Sequence, residues 1–459
     1  MIAQQQTAEA VQQRKQADVA RHEALSARDE AQQQRKEAVA QKLIADQERV
    51  KAEESERIAQ RLRLLAIANS MAIQALQLHS TVKDEIPALY ALTAYQLHRD
   101  NGGKEGDPTL YSALSAISND PIILRGHQDA VRAVITSADG KWLFSCGDDQ
   151  KVIRWNIENP EKQPVFAVVP KEIKENFRSI MLTHDEKWLI AGTTEGKLIV
   201  WDNHLFPGSV SVVNAHESIV NSLVSSPVSN VFYSSGSDGN VLKWSYDGQQ
   251  FQSIVLDKVS EPVLCSHVNH DGSEIVYVMA SGAVKTLNLV KEPKSPSLLT
   301  TLKSQALSVK YQPGSNNLVV GCQDGSIQVF QKNLNGFEQT ALVGRHISGV
   351  NALTFSPDGS KFGSASYDWT IRLSPFPVLE EKPISIDNHE LWIYDLLFTP
   401  DGNHLISCSA DRTIRIFSVG NEQMAEKARP KTKRNMTAAE WSKLVGEDIP
   451  YQKTIAELP

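Results

Sequence analysis

Four cysteines in 459 residues, no two at zinc-ligand spacing, exclude a disulfide framework and a thiolate metal centre. They read as small buried residues in a reducing compartment. No apolar run is long enough to cross a bilayer: the longest candidate, Leu64–Leu76, is interrupted by Asn69, Ser70 and Gln74. The polar N-terminus lacks the apolar core of a secretory signal, so a cytoplasmic protein with no membrane segment is expected. Positive charge is also short, 47 Lys and Arg against 54 Asp and Glu, and a net charge of −7 argues against a general nucleic-acid binder. The signatures of catalysis are missing too. There is no phosphate loop ending Gly-Lys-Ser/Thr, no His-Glu-x-x-His, no Gly-x-Ser-x-Gly and no dinucleotide glycine fingerprint. The Asp-Gly turns lack the alternating oxygen ligands of a calcium loop. The expectation is a chain without catalytic residues, cofactor or metal.

Glycine and proline are absent from residues 1–63, which are rich in Ala, Gln, Glu and Arg. Alanine recurs every seventh residue from Ala3 through Ala10, Ala17, Ala24, Ala31, Ala38, Ala45, Ala52 and Ala59 to Ala66. Such a heptad predicts a long helix with a narrow contact stripe, roughly 90 Å long at about 1.5 Å per residue. It is either a coiled coil through which the chain self-associates or a solvated single helix. From Leu62 to Ser118 the pattern becomes amphipathic. A second helix is expected from near Asp84, with Pro87 in its first turn and Asn101-Gly102-Gly103 at its end. A third follows the Asp107-Pro108 cap. The divisions expected are a long helix at 1–63, a helical layer at 64–120, a repeat region at 121–420, and a basic connector with a helical tail at 421–459. In the tail, Thr437-Ala438-Ala439-Glu440 is a capping box.

The repeat region carries one pattern seven times. Its copies are anchored at Trp155, Trp201, Trp244, Leu287, Phe330, Ser374 and Phe417, spaced 46, 43, 43, 43, 44 and 43 residues apart. Sixteen residues before each anchor is a turn, four times Asp-Gly. Six before it stand Asp149, Glu195, Asp238, Ser281, Asp324, Asp368 and Asp411. Twenty-eight before it, in four copies, stand His127, His216, His346 and His389. A fixed period of this length with four short strands per copy predicts a β-propeller.

With Gly126-His127, Trp201-Asp202 and these seven copies in register, the region resembles the WD-repeat family. The resemblance implies an all-β seven-bladed propeller, preceded by a long α-helix and a small helical layer. It implies that Ile122–Leu124 completes the blade of copy seven. It also implies that the pairs His127/Asp149, His216/Asp238, His346/Asp368 and His389/Asp411 are structural. Positions 23 and 25 before the anchor and 7 before it commonly touch partners in such proteins. The large residues there, Arg132, Arg178, Tyr367, Trp392 and Tyr394 together with Asp148, gather on copies six, seven, one and two. Trp, Tyr and Arg are the side chains enriched at binding hot spots, so this sector is the expected partner-binding face. The alternative for Trp392 is a place in the blade core.

The order of an Ala/Gln/Arg helix, then Ala91-Leu92-Thr93-Ala94-Tyr95-Gln96-Leu97, then the repeats is similar to the C-terminal part of bacterial STAND-type NTPase or caspase-like signalling proteins. The tail Met436-Thr437-Ala438-Ala439-Glu440-Trp441 shares that resemblance. It implies a sensor or scaffold propeller that binds protein and acts with an effector carried elsewhere, whether the chain is a fragment or a stand-alone subunit. The competing expectations are an oligomerisation scaffold working through the coil, and an enzyme with its site in the propeller channel.

Overall fold

The computed structural model describes residues 2–81, 85–118, 120–291, 295–333, 336–343, 346–376 and 383–458, with side chains from residue 10 onward and not at 341–343. The chain divides between Ile67 and Ala68 into two units. The first lies within helix α1 (Ile2–His79). With no Gly or Pro to break it, the helix rests on good helix formers and on pairs one turn apart, such as Gln33 with Glu37 (2.8 Å) and Arg57 with Glu54 (2.8 Å). Every residue from 10 to 63 is exposed, the alanine stripe included.

The second unit opens with the last turns of α1, where Ala68, Met71, Ala72 and Ala75 turn one buried stripe inward. Helix α2 (Ile86–Asp100) and helix α3 (Pro108–Ser118) follow, and α3 is capped by Asp107, whose carboxylate accepts from the Leu110 N–H at 2.9 Å. The start expected near Asp84 falls outside the described residues. The basic stretch after the repeats is more ordered than its charge predicts. Helix α4 (Asn421–Ala428) buries Met424, Ala425 and Ala428 against α2 and α3. Helix α5 (Ala438–Leu444) has the Thr437/Glu440 capping box in place. Three cations of the stretch find acids: Lys427 lies 3.5 Å from Asp120, Arg429 3.1 Å from Glu426, and Arg434 2.7 Å from Glu440 and 3.2 Å from Glu85.

Residues Ile122–Ser418 form seven antiparallel four-stranded sheets arranged as blades. Their inner strands are Val131–Thr136, Phe177–Leu182, Val220–Ser225, Val263–Val268, Ala306–Tyr311, Val350–Phe355 and Ile393–Phe398. Each packs beside the next, and the seventh beside the first, so the ring is closed. The seventh blade borrows its outer strand from the far end of the sequence: Ile122–Arg125 pairs with Thr413–Ser418 in the register Ile122/Ile416 and Leu124/Ile414. Pairing that strand removes two open edges at once. The core lies between blades. Leu124, Val131, Leu143, Ile153, Trp155, Ile406 and Ile416 fill the space between the seventh and the first. The helical layer is fastened to the same seam, where the Tyr111 hydroxyl donates to the Ser418 carbonyl at 3.0 Å and the Ser418 N–H donates to Asp120 at 2.8 Å.

Candidate partner-binding face

In four blades the repeated polar positions of the pattern form a directional relay. In blade 1 the Trp155 indole N–H donates to Ser145 Oγ (2.8 Å). Ser145 meets His127 Nε2 (2.8 Å), and His127 Nδ1 meets Asp149 (2.9 Å). One tautomer, with the proton on Nδ1, satisfies every link. Blade 3 repeats the relay through Trp244, Ser234, His216 and Asp238. Blades 6 and 7 have it without the tryptophan, through Ser364, His346 and Asp368 and through Ser407, His389 and Asp411. The aspartate also accepts the backbone N–H after the histidine, as from Ile347 at 2.9 Å. The rings are buried and their polar atoms consumed, which is the chemistry of a staple. The serine is absent from the sequence reading, yet it could have been found there. Ten residues before the anchor, serine stands in the four copies that have the histidine, and Ala191, Tyr277 and Val320 stand in the others.

The three remaining blades replace the relay as a set. Ile173 and Ala191 in blade 2, and Leu302 and Val320 in blade 5, put apolar groups where histidine and serine would be. In blade 4 the acid has moved: Ser281 donates to Glu261 at 2.8 Å, and Tyr277 to Asp257 at 2.5 Å. A half-satisfied buried network costs more than none.

Burial alone would push the relay carboxyls up, but the histidine hydrogen bonds and charges together hold Asp149 and Asp238 below the ordinary value and Asp368 and Asp411 well below it. Burial outweighs the Asp411 bond and carries His389 below its ordinary value, and it lowers His267 and His404 as well. A depressed folded-state pKa means that the unfolded chain takes up protons first, so stability falls as pH falls. Thermal unfolding should therefore change little with pH between about 7 and 8, lose stability below about 6.5 as the histidines respond, and lose it faster below about 4 as the aspartates do. A melting temperature unchanged between pH 7 and pH 4.5 would contradict this account.

At the end of the ring that carries these relays, each inner strand begins with a β-bulge. Register slips between Val131 and Ala133, and at the equivalent place in all six other blades. The skipped residues are Arg132, Arg178, Asn221, Leu264, Leu307, Asn351 and Tyr394, the residues 23 before each anchor. A bulge re-aims its side chain, and all seven line an axial cavity of about 450 Å³. Half the mouth is bland, with Asn221, Leu264 and Leu307. The other half is aromatic and charged. The Arg132 guanidinium lies 4.0 Å from the centre of the Tyr394 ring, and its Nε donates to Asp148 at 2.7 Å. Tyr367 stands edge-on to Tyr394 at 6.2 Å and meets Trp392 at 5.3 Å. The Tyr367 hydroxyl donates to Asn351 Oδ1 (2.8 Å), whose Nδ2 donates to the Tyr394 carbonyl (2.6 Å). Trp392 is 52% exposed, so it is not blade core. Arg178 lines the same mouth.

The WD domain, G-beta repeat family matches residues 120–156, 208–245, 338–373 and 381–418, which are the four copies with the histidine relay. This is a seven-bladed propeller of WD repeats. It is similar to echinoderm microtubule-associated protein-like 3 of Mus musculus, with 25% identity over 250 residues, 53% of this chain and 26% of that protein. The 77 kDa echinoderm microtubule-associated protein of Lytechinus variegatus is 26% identical over 253 residues, 54% of this chain and 36% of that protein. Protein groucho of Drosophila melanogaster is 26% identical over 248 residues, 53% and 32%. The chain thus spans about a quarter to a third of these relatives' length. Among the described residues of the WD propeller and its helices, none forms a helix long and apolar enough to cross a membrane.

Proposed function

We propose that this WD propeller is a non-enzymatic protein-interaction module, and that the mouth sector on blades 6, 7, 1 and 2 is its partner-binding face. The observation that carries the reading is the exposed Trp392 ring held against Tyr367, beside the Arg132–Tyr394 stack. Rigid aromatic and guanidinium groups presented to solvent are what a hot spot is made of. The histidines and acids that the repeat pattern singles out are consumed in the relays and so are not free to act as a reacting pair. The residue order around Ala91–Leu97 and the tail at Met436–Trp441 support a sensor or scaffold in a cytoplasmic signalling assembly, of the kind that accompanies STAND-type or caspase-like effectors.

The test is to compare the partners recovered from the native cell with the full chain and with Trp392→Ala and Arg132→Ala, after circular dichroism has shown the variants folded. Val228→Ser, an exposed substitution on the turn at the other end of blade 3, is the control. At least one partner should bind the face variants about thirtyfold more weakly and the control equally well. The alternative is a structural scaffold joined through residues 1–63, which is supported by the exposed alanine heptads. It requires the reverse: partners lost on deleting residues 1–61 and indifferent to both face variants.

A further inference from the structure

Two features around the mouth point to what it recognises. The first is a charge without a partner. Arg132 is neutralised by Asp148, but Arg178 makes no ion pair with any described residue. Burial lowers the Arg178 pKa, Arg132 adds to that and Asp148 opposes it, while the guanidinium stays charged throughout. At the mouth itself two cations (Arg132 and Arg178) face one acid (Asp148), a surplus of one positive charge.

The second feature is apolar. At the same end of blades 6 and 7, Ile347 is 91% exposed, Trp369 48% and Leu391 45%, alongside Trp392. Trp369 also holds a left-handed backbone, φ +72°, at the turn position where blades 2 to 5 carry Gly196, Gly239, Gly282 and Gly325 and blades 1 and 7 carry Gln150 (φ +61°) and Arg412 (φ +69°). A tryptophan gains nothing locally from that conformation. The turn imposes that φ on whatever residue stands there, so what marks a contact surface is the indole left exposed on it.

We propose that this mouth binds a linear segment of a partner protein in which a carboxylate side chain, for Arg178, stands close to a large apolar side chain, for Trp369 and Trp392. This rests on the partner-binding face proposed above and adds the chemistry of its ligand. A desolvated guanidinium suits a carboxylate through paired N–H donors. The surplus of a single charge, with Asp148 close by, fits a monoanion and disfavours the nearly dianionic phosphate ester.

The full chain would be used to select random twelve-residue peptides displayed on phage. The selected sequences would then be synthesised with the acid as Glu, Gln or phosphoserine and their affinities measured for the wild-type chain, Arg178→Gln, Trp369→Gly and Trp392→Ala. The expected consensus has one Asp or Glu within a few residues of a Trp, Phe, Leu or Ile. Its Glu form should bind the wild-type chain at least about tenfold better than the Gln form. Arg178→Gln should erase that preference while leaving the apolar requirement. Trp369→Gly, which takes the residue four other blades use, should keep the fold and weaken binding about tenfold. Recovery of no binding peptide, a basic consensus, or tighter binding of the phosphoserine form would overturn the proposal. If peptides bind through Trp392 but not through Arg178, the acid assignment falls and the face stands. If binding ignores Trp392 as well, both fall.

Discussion

Replacing His346 with leucine should cost the propeller about 3 kcal/mol, the size expected when one member of a buried, hydrogen-bonded set is removed and its partners are left behind. His346 joins Ser364 (2.9 Å) to Asp368 (3.0 Å) in the interior of blade 6, and its side chain is fully buried. Leucine would fill part of the volume but strand the serine hydroxyl. The informative step is the second substitution. Ser364→Val alone should cost about 2 kcal/mol by leaving His346 Nε2 unpaired. The two together should cost less than the sum of the single changes by at least about 1 kcal/mol. The reason is visible within the molecule: blade 5 is built with Leu302 and Val320 at these places, and its acid, Asp324, is served by Ser326. Blade 6 is the right place to look because no tryptophan there leans on the serine, its anchor being Ser374. Chemical denaturation of the four chains, followed by far-ultraviolet circular dichroism, measures the cycle. Strict additivity would mean that the relay is three independent contacts.

An acid in the closing strand should have the larger effect. Leu124 is 4% exposed in the core shared by blades 7 and 1, whereas its neighbour Ile123 faces out and is 40% exposed. Leu124→Asp should destabilise by 4 kcal/mol or more, roughly, because it removes a buried side chain and places an unpaired carboxylate among Val131, Ile153, Ile414 and Ile416. Ile123→Asp, one residue away in the same strand, should cost about 1 kcal/mol or less. If the ring closes as one cooperative body, the Leu124 variant should lower the midpoint of a single unfolding transition. A separate early transition, with the rest of the propeller unmoved, would show instead that the seam opens alone.

Most of this architecture can be read from spacing. A 43-residue period with a turn, an acid and an aromatic anchor at fixed offsets is a local signal repeated seven times, so individual departures such as Ser374 do not erase it. Spacing leaves Ile122–Leu124 as a strand outside the copies, and it is the resemblance to WD repeats that implied where it pairs. What spacing does not carry is direction. The residues at the channel mouth share a column in the repeat, but only the bulge at each of them shows that the column turns toward the axis. Trp369 was passed over because its column belongs to a turn. In sequence it looks like one more variation where glycine is common, and its meaning lies in the exposure of its indole, which spacing does not show. Helix α4 was obscured by charge. Lys427, Arg429, Lys431, Lys433 and Arg434 read as a solvated connector, while Met424, Ala425 and Ala428, the buried side, are too few to make a pattern. The long helix raises the converse case, for the heptad is plain and yet every residue from 10 to 63 is exposed.

The borrowed strand also sets a schedule. Asp120 and Ser418, which hydrogen-bond at the seam, are 298 residues apart. At a synthesis rate of about 5–20 residues per second, the strand at Ile122–Arg125 emerges roughly 15–60 s before its partner exists. Blades 1 to 6 can form in that interval from neighbours a few residues away. The first strand of the propeller to be made is therefore the last to be matched. For that time Ile122 and Leu124 have no strand to pair with and are open to any other nascent chain that offers one, including a second copy of the last blade.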